Sequence, residues 1–187
     1  TIGDLAELPL EILTTHFGVM GKGLYAWARG IDKSPVNPEM RDAKSIGHSV
    51  TLPQDLYDME STRNVLLGLA EQVGFRARCG GYTGCVLKVT FRTSDFATYT
   101  RSKTIEPTNL TERIYTAAVD LLNINWDRCL PIRLLGISLA GLYRGFEQIS
   151  LFDSDEKLKK VNSTVDAIKL RYGQDAVFRA RLLRQNL

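Results

Sequence analysis

The chain has 187 residues, is 44% hydrophobic and 24% charged, and carries a formal net charge of +3 with a mean hydropathy of −0.12. That balance belongs to a globular protein of one domain plus extensions and excludes a disordered chain. No apolar run reaches the roughly 18 residues of a membrane helix, and a charge of +3 does not by itself argue for nucleic acid.

The opening shows no signal-peptide pattern, and Thr1 reads as a helix N-cap rather than an initiator. The expectation is a cytoplasmic fragment of a longer protein. Cys79, Cys85 and Cys129 are odd in number and lack CxxC spacing, which reads as buried or idle thiols rather than a zinc site.

A capped helix is predicted from Thr1, with Asp4 favouring its dipole, and a second from Pro9 with Leu10, Leu13 and Phe17 at helical spacing. Gly18 ends that helix. Val19, Met20 and Gly21 read as a tight turn before a third helix over about 22–29, with Leu24, Trp27 and Ala28 inward. Helix, glycine turn, helix is one way to hold a nucleic-acid backbone on helix N-termini, and it is also ordinary packing. Residues 33–43, with Pro35 and Pro38 and no periodicity, read as a linker after a first unit at 1–32.

From Lys44 the pattern changes to βαββαβ over 44–145. The first strand, over 44–53, alternates Ile46, Val50 and Leu52 against Ser45, Gly47, Ser49 and Thr51. A helix over 59–78 carries Val65, Leu66, Leu69, Ala70 and Val73 at helical spacing, and Gly80-Gly81 breaks the chain. A strand over 83–92 sets Cys85, Leu87, Val89 and Phe91 against Lys88, Thr90 and Arg92. A turn at Thr93, Ser94 and Asp95 leads to a Thr- and Tyr-rich strand over 96–104. A second helix follows, with Leu110, Ile114, Ala118, Leu121 and Leu122 on one side, then a last strand over 132–142.

This order makes a two-layer α+β sandwich, with a four-stranded sheet and two helices on one face. The other face must meet water or a partner. The four segments hold Lys44, Lys88, Arg92, Arg101, Lys103 and Arg133 and no Asp or Glu. Parity puts Lys88 and Arg92 on the open face. It leaves Arg101 and Lys103 ambiguous and places Arg133 with Leu135 and Ile137, working from the strand's end. A flat, small-residue, basic face suits a sugar-phosphate backbone, although a solvated sheet with ordinary lysines has the same composition. Paired stacking aromatics of the RNA-recognition type are absent from it.

After the sheet comes Gln148-Ile149-Ser150-Leu151-Phe152, a polar anchor followed by large apolar residues, in a segment taken as 146–153. It reads as a hook for another protein's pocket. Burying Leu151 and Phe152 offers roughly 3–6 kcal/mol before ordering costs, which predicts micromolar binding. Residues 154–187 form a helical tail, with Leu158, Val161, Val165, Ile168 and Leu170 approximating an apolar stripe and a shorter basic helix from Asp175. It folds back on the sandwich or meets another protein.

These residues together resemble a known family. Lys44-Ser45-Ile46-Gly47 with Val50-Thr51-Leu52-Pro53 is similar to the opening strand of the little-finger domain of Y-family translesion DNA polymerases. Thr100-Arg101-Ser102-Lys103-Thr104 resembles that domain's third strand, and Pro131-Ile132-Arg133-Leu134-Leu135-Gly136-Ile137 its last. Residues 1–32 look like the end of a helical thumb domain. Gln148 to Phe152 looks like the family's peptide for the replication sliding clamp (the beta clamp), and the tail is similar to the UV-damage repair branch of bacterial members, the impB/mucB/samB type.

The resemblance implies a DNA-binding, clamp-binding C-terminal part of a DNA-directed DNA polymerase of translesion synthesis and the SOS response. The parent would need Mg2+ in a palm domain, and this fragment would carry no catalytic residue, metal or cofactor of its own. It implies primer-template DNA as partner, a monomer in the bacterial cytoplasm, and no membrane contact. The DNA contacts carried over are Ser45, Gly47, Arg101, Ser102, Lys103 and Arg133, beside Lys44, Lys88 and Arg92 from the basic strands. His48 stands where some members have a stronger cation, and Leu134 and Ser138 where archaeal members have arginines, which implies a weaker grip. A free-standing protein-interaction module with merely solvated strands remains the alternative, and a small-molecule site would need a concave apolar pocket.

Overall fold

The computed structural model describes residues 1–36, 42–145 and 155–185, and the chain divides into two compact units, 1–42 and 43–187. The middle of the predicted linker and the hook residues Gln148, Ile149, Ser150, Leu151 and Phe152 lie outside the described residues.

The first unit is three short helices, α1 (Ile2–Glu7), α2 (Leu10–Phe17) and α3 (Val19–Trp27). Thr1 Oγ1 accepts from the Asp4 N–H while the Asp4 carboxylate accepts from the amino terminus, which closes a capping box. The turn expected at Val19, Met20 and Gly21 is instead the first turn of α3. Gly18, at φ +57°, makes the break alone, a conformation that favours glycine. Gly21 is the crossing point of α2 and α3, for a Cβ there would stand 2.3 Å from the Leu13 carbonyl oxygen. Trp27, expected inward, is half exposed. Six positions beyond Gly21, it lies well round the helix from the crossing.

The second unit holds β1 (Ser45–Leu56), α4 (Met59–Cys79), β2 (Tyr82–Thr93), β3 (Thr98–Thr108), α5 (Thr111–Asn125), β4 (Ile132–Arg144) and α6 (Glu156–Tyr172). The strands form one antiparallel sheet in the order β1-β4-β2-β3. Helices α4 and α5 cover one face, giving the expected two-layer βαββαβ sandwich. Leu87, Val89 and Phe91 of β2 and Leu135, Ile137 and Leu139 of β4 meet Leu66, Leu69 and Val73 of α4 and Ile114, Ala118 and Leu122 of α5 in one buried core. At α4 the Asp58 carboxylate accepts from the Ser61 N–H at 2.7 Å, and those hydrogen bonds hold its pKa below the ordinary carboxylate value.

The strands run further than alternation alone indicates. β1 reaches Leu56 and β3 reaches Thr108, each with a register shift, so the sheet takes in Asp55 and Glu106 and is not free of acidic residues. The third strand begins at Thr98 because the Asp95 carboxylate accepts from Thr93 Oγ1 and the Ala97 N–H, with Phe96 at φ +66° closing the turn. Cys79 and Cys129 are exposed free thiols and Cys85 is half-buried.

The tail lies on the helical layer, and it docks by its polar side. Of the expected stripe, Leu158, Val165 and Ile168 are half-buried, but the most buried positions are polar. Asn162 and Asp166 are the buried residues of α6, while Val161 and Leu170 are exposed. Arg78 of α4 grips Asp166 with two hydrogen bonds, Nε to Oδ2 at 2.6 Å and Nη2 to Oδ1 at 3.0 Å, and also donates to the Asn109 carbonyl. Arg179 spans Glu71 of α4 and Glu112 of α5. Asn162 donates to Glu112 at 2.8 Å, and Arg113 pairs with Asp155. Burial pushes the Glu112 carboxyl up, but the hydrogen bonds from Asn162 and Arg179 outweigh it and its pKa falls. The basic helix expected from Asp175 is two short 3₁₀ turns, Gln174–Ala176 and Ala180–Gln185.

Arg78→Ala should cost about 3 kcal/mol, because it strands the Asp166 carboxylate in a site where both side chains are under one-fifth exposed; urea unfolding of the chain measures it. Asp58→Ala should cost about 1 kcal/mol at pH 7. The folded pKa of Asp58 is depressed, so its stabilisation is present above the unfolded value of about 4 and is lost as pH falls through the folded one. The gap between the two proteins in urea melts should hold above the unfolded value and narrow as the pH is taken down through the folded one.

Candidate nucleic-acid interface

The uncovered face of the sheet is a lattice fixed by strand register. Residues paired across antiparallel strands share a face, so the partners of Lys88 can be read along the sheet. The row through Lys88 is Gly47, Ser138, Lys88 and Ser102. On one side of it lies Ser49, Gly136, Thr90 and Thr100, and beyond that Thr51, Leu134, Arg92 and Thr98. On the other lies Ser45, Ala140, Val86 and Thr104. The lattice contains no carboxylate. Its side chains are short, mostly hydroxyl-bearing, and interrupted by Lys88 and Arg92.

Glycine and serine face each other across β1 and β4. A Cβ on Gly47 would come within 3.0 Å of Ser138 Cβ, and one on Gly136 within 2.9 Å of Ser49 Cβ. The Thr90 and Thr100 hydroxyls share a hydrogen bond of 3.1 Å, and Arg92 Nε donates to Thr98 Oγ1 at 2.8 Å. Neither Lys88 nor Arg92 has an ion-pair partner among the described residues. The face therefore offers hydroxyls, close backbone and two uncommitted cations, a set suited to phosphate oxygens and blind to bases.

The register divides the residues predicted to touch DNA. Ser45, Gly47, Lys88, Arg92 and Ser102 share the open face, and Lys44 precedes β1 as an exposed residue. Arg101 pairs with Val89 and Lys103 with Leu87, so both belong to the helix side, where they stand exposed at the β3 edge. Arg101 donates to Asn125 Oδ1 of α5 at 2.9 Å. His48 pairs with Ile137 on that side too, and lines a cleft of about 590 Å³ between β1 and α4 with Val50, Leu52, Val65 and Leu69. No Asp, Glu, Lys or Arg lines the cleft, whose polar side chains are His48, Gln54, Ser61 and Gln72. Arg133 is committed elsewhere: it meets Asp55 at 3.6 Å and lies 5.1 Å from the Phe96 ring centroid. Strand length hid this, since Asp55 lies beyond the predicted end of the first strand.

Among the described residues no group of three His, Cys, Asp or Glu side chains could hold a metal ion, and no helix is long and apolar enough to cross a membrane.

Residues 43–151 match the family described as impB/mucB/samB family C-terminal domain. Over 183 residues the chain is 40% identical to the DNA polymerase IV of Pelotomaculum thermopropionicum and, over 183 residues, 42% identical to that of Moorella thermoacetica. Each alignment covers 96% of this chain and 46% of the relative. The DNA polymerase IV 2 of Bacillus subtilis is 39% identical over 191 residues, covering 98% of this chain and 46% of that protein. The chain thus spans about half the length of the curated relatives it matches. Among solved structures, a Y-family DNA polymerase chimera superposes with a TM-score of 0.51 at 19% identity, over 78% of this chain and 42% of that one. At that identity the likeness concerns the fold.

Gly136→Ala should lower stability by about 1–2 kcal/mol, since the new methyl drives Ser49 aside. Thermal melts of the chain measure it, and adding Ser49→Gly should recover part of the loss.

Proposed function

The chain belongs to the impB/mucB/samB family, and from that we propose that it is the DNA-gripping C-terminal part of a Y-family DNA-directed DNA polymerase acting in translesion synthesis. The observation that carries this reading is the acid-free, hydroxyl-rich lattice with Lys88 and Arg92 uncommitted. A duplex laid on that face would meet cations and hydroxyls at its phosphates, and strand backbone would come close where Gly47 and Gly136 lack side chains. Such contacts are indifferent to base sequence, as a polymerase that must accept any template requires.

Nucleotidyl transfer is assigned to the part of the protein outside this chain. Mg2+ does not fit the described residues, which hold no group of three His, Cys, Asp or Glu side chains for it, and the neighbouring Glu71 and Glu112 are taken by Arg179. The chain's own contribution is to hold the primer-template while chemistry proceeds elsewhere.

The second half of the proposal concerns the peptide Gln148-Ile149-Ser150-Leu151-Phe152, which rests on its sequence. The Gln148 amide would fill a polar subsite of the sliding clamp, and Leu151 with Phe152 an apolar cleft. Weak grip on DNA and weak grip on the clamp reinforce one another when both are held by one chain. The tail's polar side is engaged by the helical layer, so any repair protein that meets the tail would meet its outward face.

In a duplex titration followed by fluorescence anisotropy, Lys88→Ala with Arg92→Ala should flatten the salt slope by about two and weaken binding equally across sequences. Arg101→Ala with Lys103→Ala should do less, because those side chains start from the helix side. A base-selective loss, or an unchanged slope, overturns the assignment of the face. Replacing Gln148, Leu151 and Phe152 by Ala should abolish micromolar clamp binding; unchanged affinity would remove the tether from the proposal.

A further inference from the structure

The arginines of the second unit are not equivalent. Arg78, Arg113, Arg133 and Arg179 all face carboxylates, and Arg101 donates to Asn125. Arg92 stands on the open face of the sheet. Its Nε donates to Thr98 Oγ1 at 2.8 Å, and among the described residues it faces no carboxylate. Arg92 and Thr98 are direct cross-strand partners on the open face, so the contact comes from sheet register rather than from a chance surface rotamer.

A guanidinium has five N–H donors in one plane: one on Nε and four on the two terminal nitrogens. It can grip a phosphate side-on, through Nε and one terminal nitrogen, or end-on, through both terminal nitrogens. An acceptor on Nε removes the first mode and presents the second. It also fixes a long side chain that would otherwise lose its rotamer freedom on binding, at a cost usually paid in affinity. In the adjacent row Gly136 has only a hydrogen and Thr90 a small side chain, while Leu134 pairs with Arg92 from the strand opposite Thr98.

We propose that Thr98 is a positioning residue of the DNA grip: its hydroxyl takes the Arg92 Nε proton and holds the guanidinium end-on to one backbone phosphate. This rests on the reading of the open face as the DNA interface. Thr98 touches no phosphate itself; it acts through Arg92.

The test is a duplex titration of the full chain at several salt concentrations. Thr98→Val keeps the β-branched shape and removes the acceptor. It should weaken binding about two- to tenfold, leave the salt slope unchanged because no charge is lost, and leave the unfolding midpoint nearly unmoved. Thr98→Ser should restore affinity. In an Arg92→Lys background Thr98→Val should have no further effect, because lysine has no Nε–H to hold. The Arg92 Nε–H should also give a sharp nitrogen-15 NMR cross-peak in the free protein that broadens in Thr98→Val. If Thr98→Val binds like the parent while Arg92→Ala loses affinity, the positioning role is wrong and the DNA-binding face stands. An equal loss in the Arg92→Lys background likewise overturns it, since Thr98 would then act independently of Arg92. If Arg92→Ala itself changes nothing, the reading of the face fails and this inference with it.

Discussion

The parity of β4 governs the rest of the sandwich. It is hydrogen-bonded on both sides, to β1 and to β2, so its alternation dictates that of its neighbours. Leu135, Ile137 and Leu139 must face α4 and α5, because a slip of one residue would carry all of them into water. Leu134, Gly136, Ser138 and Ala140 are then obliged to line the opposite face, and pairing carries the same division to every strand. The composition of the open lattice is thus a by-product of burying the core. Within it, the glycine–serine pairs across β1 and β4 are fixed by close packing, and the positions that must be small are the ones where the proposed interface would let a phosphate backbone approach the strands.

The tail obeys a different physics. The core buries apolar side chains and excludes water. Helix α6 buries Asn162 and Asp166 and leaves Val161 and Leu170 in solvent. A buried ion pair returns little net stability against an apolar contact, but it is strict about geometry, since a displaced partner leaves a desolvated charge. Arg78 meets Asp166 with two parallel hydrogen bonds and Arg179 bridges α4 and α5, so the tail is seated in one register on the helical layer. The residues that hold it, Glu71, Arg78, Glu112 and Arg113, would otherwise be the outward polar face of an ordinary two-layer sandwich.

Charge bookkeeping on the sheet separates binding groups from structural ones. Arg133, expected to work from the end of its strand, is occupied by Asp55 and Phe96. Arg101 and Lys103 looked like a paired phosphate grip, yet register sends them to the helix side at the sheet edge. What remains on the open face is sparse, two cations among hydroxyls, and the proposed DNA interface rests on those two.

Much of this was legible in the chain. The βαββαβ order, the single covered face and the placement of Lys88 and Arg92 follow from alternation in β2 and from helical spacing in α4 and α5, where apolar side chains outnumber the ambiguous ones. Local patterns were enough there because one buried face dictates the period. Three things depended on contacts distant in sequence. The facing of β3 needed its register with β2, since its helix side carries the exposed Arg101 and Lys103 and so shows no apolar period. The spent state of Arg133 needed Asp55, brought alongside by β1 running past its alternating segment. The seat of α6 needed Arg78, Glu112 and Arg179, whose partners lie dozens of residues away. Periodicity reports where water is excluded. It is silent about which charges will find each other once the chain has folded, and that pairing is what tertiary structure alone decided.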